Sequence, residues 1–288
     1  MKYRKNEAKE YAKEKLQGVW TALPTVFTDD DKVDDAGNRF NLEHRISKLK
    51  IEGHYCLGNV AEFWSMTNEE RMRVHEINAE TAAGRVPIIA GCHHQNPYEV
   101  VKLCQHAESV GVDFAIILTP YQGAKSDDAV FDFYEFVSER VNIGIVLFNI
   151  PQVYYPISEN LAKRLAALPN VCGFKQANPS PTATVNLRRE IGNDLAVSVA
   201  DEGPWLFNLA VMGDFVDYTV EQAKLATTVT EPEEFFGKRI ENITEFAKVL
   251  EGRTKEYIGL WTESATAASE EIQKASKKNV VKAVKKSA

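Results

Sequence analysis

The sequence predicts an α/β protein that folds as a (β/α)8 barrel, the TIM barrel, with a short N-terminal helical extension and additional C-terminal helices. Short β-branched or apolar runs alternate with longer amphipathic stretches, which is the pattern of a parallel sheet covered by helices. Eight such runs occur. An open doubly wound sheet usually has fewer strands and a glycine fingerprint in its first turn, and neither G-x-G-x-x-G nor G-x-x-x-x-G-K-[ST] is present. The pattern therefore favours a closed barrel.

The predicted elements follow one another in regular alternation. The strands read GVWTALPTVF from Gly18, YCLGNV from Tyr55, VPIIAG from Val86, DFAIILT from Asp113, GIVLFNI from Gly144, VCGFKQA from Val171, LAVSVA from Leu195 and DFVDYTV from Asp214. Helices are predicted over 67–83, 97–110, 126–141 and 158–167, and Thr67 with Glu70 three residues later is typical of a helix start. The predicted organisation is a charged helical extension over 1–17, the barrel over 18–225, and C-terminal helices with a basic tail over 226–288.

Composition and charge disfavour several classes of protein. Hydrophobic residues make up 44% of the chain and charged residues 26%, and no apolar run approaches the roughly 20 residues that span a bilayer. The first sixteen residues are highly charged, so we expect a cytoplasmic protein without a membrane partner. A net charge of −7 argues against a nucleic-acid partner, and the basic run over 274–286 is interpreted as a solvated helix or tail. The four cysteines lack C-x-x-C spacing, which predicts reduced thiols.

Lys175 lies near the carboxyl end of the sixth predicted strand, at the end of a barrel where active sites are found. Strict alternation in VCGFKQA places Val171, Gly173 and Lys175 on one face of that strand. If this face points inward, the amine enters a packed interior, where desolvation favours its neutral form. A neutral amine is the form that attacks a ketone to give an imine. The structural alternative is an ion pair between Lys175 and a carboxylate such as Glu62.

Five segments share a pattern, in the same order, with one known family. They are ALPTVF at 22–27, GNVAEFWSMTNEER at 58–71, GVDFAIILTPY at 111–121, FNIP at 148–151 and VCGFKQA at 171–177. These resemble A-L-x-T-P-F, G-T-T-G-E-F-x-S-L-T-x-E-E-R, G-A-D-x-x-x-x-x-T-P-Y, Y-N-x-P and V-x-G-I-K-E-A of the dihydrodipicolinate synthase and N-acetylneuraminate lyase superfamily. The resemblance implies a Schiff-base enzyme with Lys175 as the imine former, and a homo-oligomer, most often a tetramer.

The departures from this family remove groups that transfer protons. Phe148 stands in the place of the tyrosine of Y-N-x-P, the family's general acid and base, and a benzyl group carries no proton. Asn59 and Val60 replace the paired threonines of the hydroxyl relay, and Gln122 replaces the tyrosine that completes it.

A further departure removes a charge. Val153 and Tyr155 stand where the synthases have the arginine and glycine of R-T-G, so no guanidinium is expected to hold a second carboxylate. Together with the incomplete relay, this predicts that the protein is not an efficient dihydrodipicolinate synthase.

The predicted substrate site lies at the strand ends around Lys175. The backbone N–H groups of Asn59 and Val60 are expected to bind the substrate carboxylate, with the Asn59 amide as a further donor. The predicted substrate-binding set is completed by Thr21, Tyr121, Phe148 and Ala200.

Four residues are candidates for the proton transfer that Phe148 cannot perform: His93, His94, Tyr154 and Tyr155. Only one of two adjacent histidines on an extended segment points into a barrel, and His93, two residues after Gly91, should share its inward face. His93 and Tyr154 are therefore the predicted catalytic partners of Lys175. The alternative interpretation is a hydrogen-bonded structural histidine and a packing aromatic.

The predicted function is that of a class I lyase, an aldolase or a dehydratase, acting on a pyruvate-derived 2-keto acid. The protonated imine is the electron sink, so no cofactor and no metal are expected. The alternative is a non-catalytic or weakly active homologue that binds a 2-keto acid. A metal-dependent aldolase is disfavoured, because no H-x-H pair or carboxylate set with convincing ligand spacing occurs at the strand ends.

Overall fold

Seven parallel strands form one sheet in the order in which they occur along the chain. A computed structural model describes residues 2–178, 180–200 and 248, and the strands lie in the unit Met1–Asp201. They are β1 (Trp20–Ala22), β2 (Gly53–Cys56), β3 (Ile88–Gly91), β4 (Phe114–Leu118), β5 (Gly144–Asn149), β6 (Val171–Gln176) and β7 (Ala196–Val199). Sequential parallel pairing is the arrangement that successive βα units produce.

Helices connect the strands. They are α1 (Ala8–Lys15), α2 (Asp35–His44), α3 (Asn68–Ala82), α4 (Pro97–Ser109), α5 (Asp127–Arg140), α6 (Glu159–Ala166) and α7 (Pro181–Ile191). Short turns of helix occur at Lys5–Glu7, Arg45–Leu49, Asn59–Ala61 and Phe63–Ser65. Thr67 and Glu70 form the predicted capping box at the start of α3. None of the helices described here is long and apolar enough to cross a membrane.

The sequence pattern predicts β3 to β7 and α3 to α6 well, whereas the first two strands differ and α2 and α7 are not among the predicted helices. The four predicted helices match α3 to α6 to within one residue at each end. The first predicted strand is much shorter than expected, because Pro24 has no N–H to donate and Phe27 pairs with Val33 only in an isolated antiparallel bridge. Strand β2 ends before Leu57, whose left-handed backbone begins a turn.

Closure of the barrel depends on residues outside those described. The eighth predicted strand, DFVDYTV, lies there, and so do the predicted C-terminal helices and basic tail apart from residue 248. The α/β fold with seven parallel strands is therefore observed, whereas the eight-stranded barrel and the boundaries at 17/18 and 225/226 stay predictions.

The N-terminal segment packs on the amino ends of the central strands. The Tyr3 hydroxyl accepts a hydrogen bond from the Gly144 N–H at 2.8 Å and donates one to the Asp113 carbonyl at 2.5 Å. Tyr11 donates to the Asp113 carboxylate at 2.7 Å, and the Tyr3 ring stacks on that of Tyr11 with centroids 4.5 Å apart. We call residues 2–16 the N-terminal cap. Since it covers the amino ends of β4 to β6, the carboxyl ends are left for a site.

The same segment fills space beside a glycine of β6. A Cβ on Gly173 would lie 3.0 Å from Leu16 Cδ1 and 3.1 Å from Val146 Cγ2. The face of the sheet that carries Gly173 is therefore filled by the N-terminal cap near the amino ends of the strands, and Lys175 follows two residues later on the same face.

Candidate active site

Lys175 lies on β6 between two aromatic rings. It pairs in register with Phe148 on β5 and Ser198 on β7, so the three side chains share one face of the sheet, as the alternation predicts for Lys175. Its Nζ atom is 4.2 Å from the ring centroid of Tyr55 and 4.2 Å from that of Phe148. The amine is thus held against apolar ring faces rather than in bulk water.

Burial lowers the pKa of Lys175 from its ordinary value of 10.5 to about 7. Within the described part of the chain, no carboxylate forms an ion pair with Nζ. Glu62 is exposed and makes no such pair, so the ion-pair alternative for Lys175 is wrong for this partner. A substantial share of the amine is consequently neutral at neutral pH, which is the nucleophilic form.

Tyr55 and His93 form a buried pair beside Lys175. The Leu118 N–H donates a hydrogen bond to His93 Nδ1 at 3.0 Å, and His93 Nε2 lies 2.9 Å from the Tyr55 hydroxyl oxygen. Because Nδ1 accepts a hydrogen bond, the proton of the neutral ring is on Nε2, which donates to Tyr55. Burial, together with the charges of Arg71 and Lys175, lowers the pKa of His93 well below 6.5. His93 is therefore neutral and points inward.

Arg71 of α3 fixes the chain that carries His93. Its guanidinium is buried, with Nη2 donating to the His93 carbonyl at 2.7 Å and to the Gly91 carbonyl at 3.4 Å. Its guanidinium also lies 5.4 Å from the Phe63 ring centroid. These contacts hold the segment after β3 in the position that directs the His93 ring toward Tyr55.

A strained turn follows β2 and lies against Tyr55. Leu57 and Glu62 on either side of it have φ of 57° and 55°, a left-handed conformation uncommon for side chains other than glycine and asparagine. A Cβ on Gly58 would lie 2.6 Å from the Tyr55 ring, so glycine is needed there. Within the described residues, the N–H groups of Asn59 and Val60 donate no hydrogen bond, which leaves both available to an anion.

Thr21 is not part of this site. It pairs in register with His54, and its hydroxyl is 3.5 Å from His54 Nδ1, on the opposite face of the sheet from Tyr55. Ala22 pairs with Tyr55 and takes the site face instead. The predicted substrate-binding role of Thr21 is therefore wrong, because the prediction placed it at a strand end without resolving which face it occupies. Ala200 follows β7, and its N–H donates to the Gln176 carbonyl at 2.9 Å.

Of the tyrosines predicted near the site, Tyr121 lies beside it, since it lines a cavity together with His93. The rings of Tyr121 and Tyr154 are 5.8 Å apart, and Tyr121 is 6.1 Å from Phe63. The Tyr155 hydroxyl donates a hydrogen bond to the Asp127 carboxylate at 3.0 Å. This bond occupies the proton that Tyr155 would need for catalysis. Tyr154 is a packing partner of Tyr121 in this structure, and its predicted catalytic role stays a prediction.

His94 is turned out of the site. Its Nδ1 accepts a hydrogen bond from the Asn96 N–H at 2.9 Å, which ties it to the start of α4.

A cavity of about 360 Å³ lies beside the His93 segment. It is lined by Phe63, Trp64, Met66, Thr67, Asn68, Arg71, His93, His94, Gln95 and Tyr121. Across residues 2–178 and 180–200, no three His, Cys, Asp or Glu side chains are placed to hold a metal ion.

Two residues of the site were missed by the sequence reasoning. The hydrophobic pattern predicts a strand from Tyr55 to Val60, which puts Tyr55 far from the carboxyl end of that strand. Alternation from Gly53 through Tyr55 to Leu57 would have placed its ring on the inward face. Ser198, the register partner of Lys175, is visible only when β6 and β7 are paired.

The parallel sheet and the position of Lys175 on β6 agree with the resemblance to the dihydrodipicolinate synthase and N-acetylneuraminate lyase superfamily seen in the sequence. Residues 15–211 match the sequence model of the dihydrodipicolinate synthetase family, and the chain belongs to this family. The 4-hydroxy-tetrahydrodipicolinate synthase of Ehrlichia canis is 31% identical over 192 residues, which cover 66% of this chain and 64% of the relative. The match thus spans somewhat less than two thirds of that enzyme.

Solved structures share the fold. A pyruvate complex of a prophage protein of the dihydrodipicolinic acid synthase family from E. coli K12 matches with a TM-score of 0.64 and 21% identity, over 82% of this chain and 80% of that one. N-acetylneuraminate lyase from Mycoplasma synoviae matches with a TM-score of 0.62 and 23% identity, over 79% and 77% of the two chains. At these identities the likeness concerns the fold alone.

Proposed function

We propose that this protein is a lyase of the class I aldolase type, in which Lys175 forms an imine with a pyruvate-derived 2-keto acid. The observation that carries the proposal is the Lys175 amine, held 4.2 Å from two aromatic ring centroids, with a pKa lowered to about 7. A lysine buried without a charged partner lowers the stability of the fold. A site that needs a neutral amine for catalysis accounts for a lysine in this position. Aldol cleavage and dehydration both use such an imine.

The turn after β2 supports the keto-acid part of the proposal. The unpaired N–H groups of Asn59 and Val60 adjoin Tyr55 through Gly58, and Tyr55 adjoins Lys175. A 2-keto acid has its carboxylate one bond from its ketone carbon, so one end binds the turn while the other reaches the amine. The relative from E. coli K12 was crystallised with pyruvate, a ligand of this kind.

Reductive trapping tests the proposal and its dependence on pH. Pyruvate with cyanoborohydride is expected to add one ligand-derived mass to the protein, at a rate that rises about tenfold between pH 6 and pH 8. The sign follows from Lys175, whose pKa near 7 makes the neutral nucleophile scarce below that pH and abundant above it. Intact-mass spectrometry at a series of pH values measures this rate. A rate that still climbs steeply above pH 9 would indicate an ordinary lysine.

We further propose that the synthase reaction itself is weak in this protein. Phe148 has no hydroxyl and Val153 has no charge, so neither the proton relay nor the grip on a second carboxylate is formed by those positions. The relatives named as synthases do not support this part of the proposal. Expression of the gene in a strain that requires lysine for lack of a synthase is expected not to restore growth, and growth at the rate given by an authentic synthase gene would refute it.

A homotetramer in the cytoplasm is the remaining expectation from the family resemblance. Light scattering on the purified protein tests the oligomeric state, and a monomeric mass at micromolar concentration would contradict it.

A further inference from the structure

We propose that Tyr55 of β2 is the catalytic residue that carries protons in this site, and that His93 is the residue that positions it. The inference rests on the proposed function, since it concerns the protons moved during imine chemistry at Lys175. It assigns to β2 a role that the family resemblance places at the Phe148 position of β5.

The position of the Tyr55 ring is the first reason. It lies between the amine and the turn that is proposed to bind the carboxylate: Lys175 Nζ is 4.2 Å from its centroid, and a Cβ on Gly58 would be 3.0 Å from its hydroxyl oxygen. A keto acid that bridges Asn59 and Lys175 therefore lies against this ring. Phe148 meets the ring edge-on, with centroids 6.1 Å apart, and keeps water from that side.

The direction of the hydrogen bonds is the second reason. The Leu118 N–H occupies His93 Nδ1, so His93 donates its only ring proton to Tyr55. The Tyr55 oxygen is the acceptor of that bond, and its own proton is directed elsewhere. Within the described residues, the Tyr55 hydroxyl has no other hydrogen-bond partner. A proton donor requires an uncommitted O–H, and this one belongs to the ring that contacts the amine. The His93 N–H stabilises the phenolate that remains after donation.

His93 cannot perform the transfer itself. Its ring is fully buried, both nitrogens are engaged, and its neutral form is fixed by the backbone of β4. In this proposal it therefore acts through Tyr55, whereas the sequence-based prediction gave the transfer to His93 itself.

One phenol accounts for the protons of enamine formation. The neutral Lys175 amine adds to the ketone carbon, and Tyr55 gives its proton to the resulting alkoxide. The phenolate takes a proton from the added nitrogen and returns it to the hydroxyl, which leaves as water with the C–O electron pair, so that the iminium faces a phenolate. The phenolate then removes a proton from C3, whose C–H electrons form the enamine double bond and neutralise the iminium. The sum is amine plus ketone giving enamine plus water, with the phenol restored.

The test uses pyruvate alone, so it needs no knowledge of the natural substrate. Exchange of the pyruvate methyl protons with D2O, followed by NMR, reports removal of a C3 proton, whereas reductive trapping reports the imine. Tyr55→Phe is expected to slow the exchange by roughly 100-fold or more. The trapped adduct at Lys175 should still form to completion given time, because the nucleophile is intact.

Tyr134→Phe is the matched control. Tyr134 is also fully buried, and its hydroxyl donates a single hydrogen bond, to the Ile117 carbonyl at 2.8 Å, away from the site. The Tyr134→Phe protein is expected to exchange pyruvate protons at the wild-type rate.

The role of His93 is tested by comparing two variants. His93→Gln keeps an N–H donor and an acceptor, so it should retain more exchange than His93→Leu, with trapping preserved in both.

Each outcome separates this inference from the proposed function. Wild-type exchange in a Tyr55→Phe protein that still forms the adduct would overturn the role of Tyr55 and leave the lyase proposal standing. Absence of an adduct in the wild-type protein would overturn the lyase proposal itself. If Tyr55→Phe does not fold, the His93 variants decide: exchange at least about tenfold slower in His93→Leu than in His93→Gln, with trapping preserved in both, supports the pair, and exchange at the wild-type rate in His93→Leu overturns it.

Discussion

Replacing Lys175 with alanine is expected to abolish the covalent adduct formed by pyruvate and cyanoborohydride. The reason is chemical: only the Lys175 amine combines a pKa near 7 with a position at the carboxyl end of the parallel strands among the residues described. Intact-mass spectrometry measures the loss, and the protein should remain as stable as wild type or become more stable, since a desolvated amine is removed.

Lys163→Ala provides the control for this variant. Lys163 lies on α6, half exposed, in an ion pair with Glu190, and its removal should leave the adduct unchanged. Retention of a full adduct in Lys175→Ala would mean that another amine is the nucleophile, and peptide mapping of that adduct would identify it.

Truncating Tyr3 to alanine is expected to lower the free energy of unfolding by about 3–5 kcal/mol, the range for removing a large buried aromatic side chain. Tyr3 is only 9% exposed and stacks on Tyr11, and its hydroxyl serves Gly144 and Asp113 at the amino ends of β5 and β4. Tyr3→Phe keeps the ring and should cost about 1–3 kcal/mol, because two buried backbone groups lose a partner. Urea titration followed by fluorescence or circular dichroism measures both.

Tyr98→Ala is the corresponding surface control. Tyr98 is 63% exposed on α4, and its loss should cost less than about 1 kcal/mol. Equal losses for Tyr3→Ala and Tyr98→Ala would show that the N-terminal cap does not hold the central strands together.

The sequence was sufficient for strands β3 to β7 and helices α3 to α6, because periodicity and capping act locally. The hydrophobic runs at 144–150 and 171–177 became β5 and β6, and the Thr67 capping box begins α3 where expected. The first strand was overestimated, since the effect of Pro24 on pairing outweighs the apolar character of GVWTALPTVF.

The site was harder to predict, because it depends on which residues face each other across strands. Lys175 was found from alternation within one strand, which the sequence contains. Thr21 was misplaced because the face it occupies is set by its register with His54, and such pairing cannot be read from one strand alone. Tyr55 was overlooked because β2 ends at Cys56, a limit set by the backbone of Leu57 rather than by hydropathy.

Position 148 is phenylalanine where the family resemblance implies a tyrosine, and the structure places another tyrosine, Tyr55, beside the same amine. Tyr55 and Phe148 both contact the same amine, each with its ring centroid 4.2 Å from Nζ. A site of this shape requires one hydroxyl near the imine, and either strand is close enough to supply it. An alignment-based transfer of roles would have concluded that the proton carrier is absent, whereas the packing around Lys175 provides a candidate.

A crystal structure of the protein soaked with pyruvate tests the central claim most directly. The predicted result is continuous electron density from Lys175 Nζ to the second carbon of pyruvate, with the carboxylate within hydrogen-bonding distance of the Asn59 and Val60 N–H groups and the Tyr55 hydroxyl facing the third carbon. Pyruvate bound without a bond to Nζ, or bound only at a distance from β6, would contradict the assignment of Lys175 as the nucleophile.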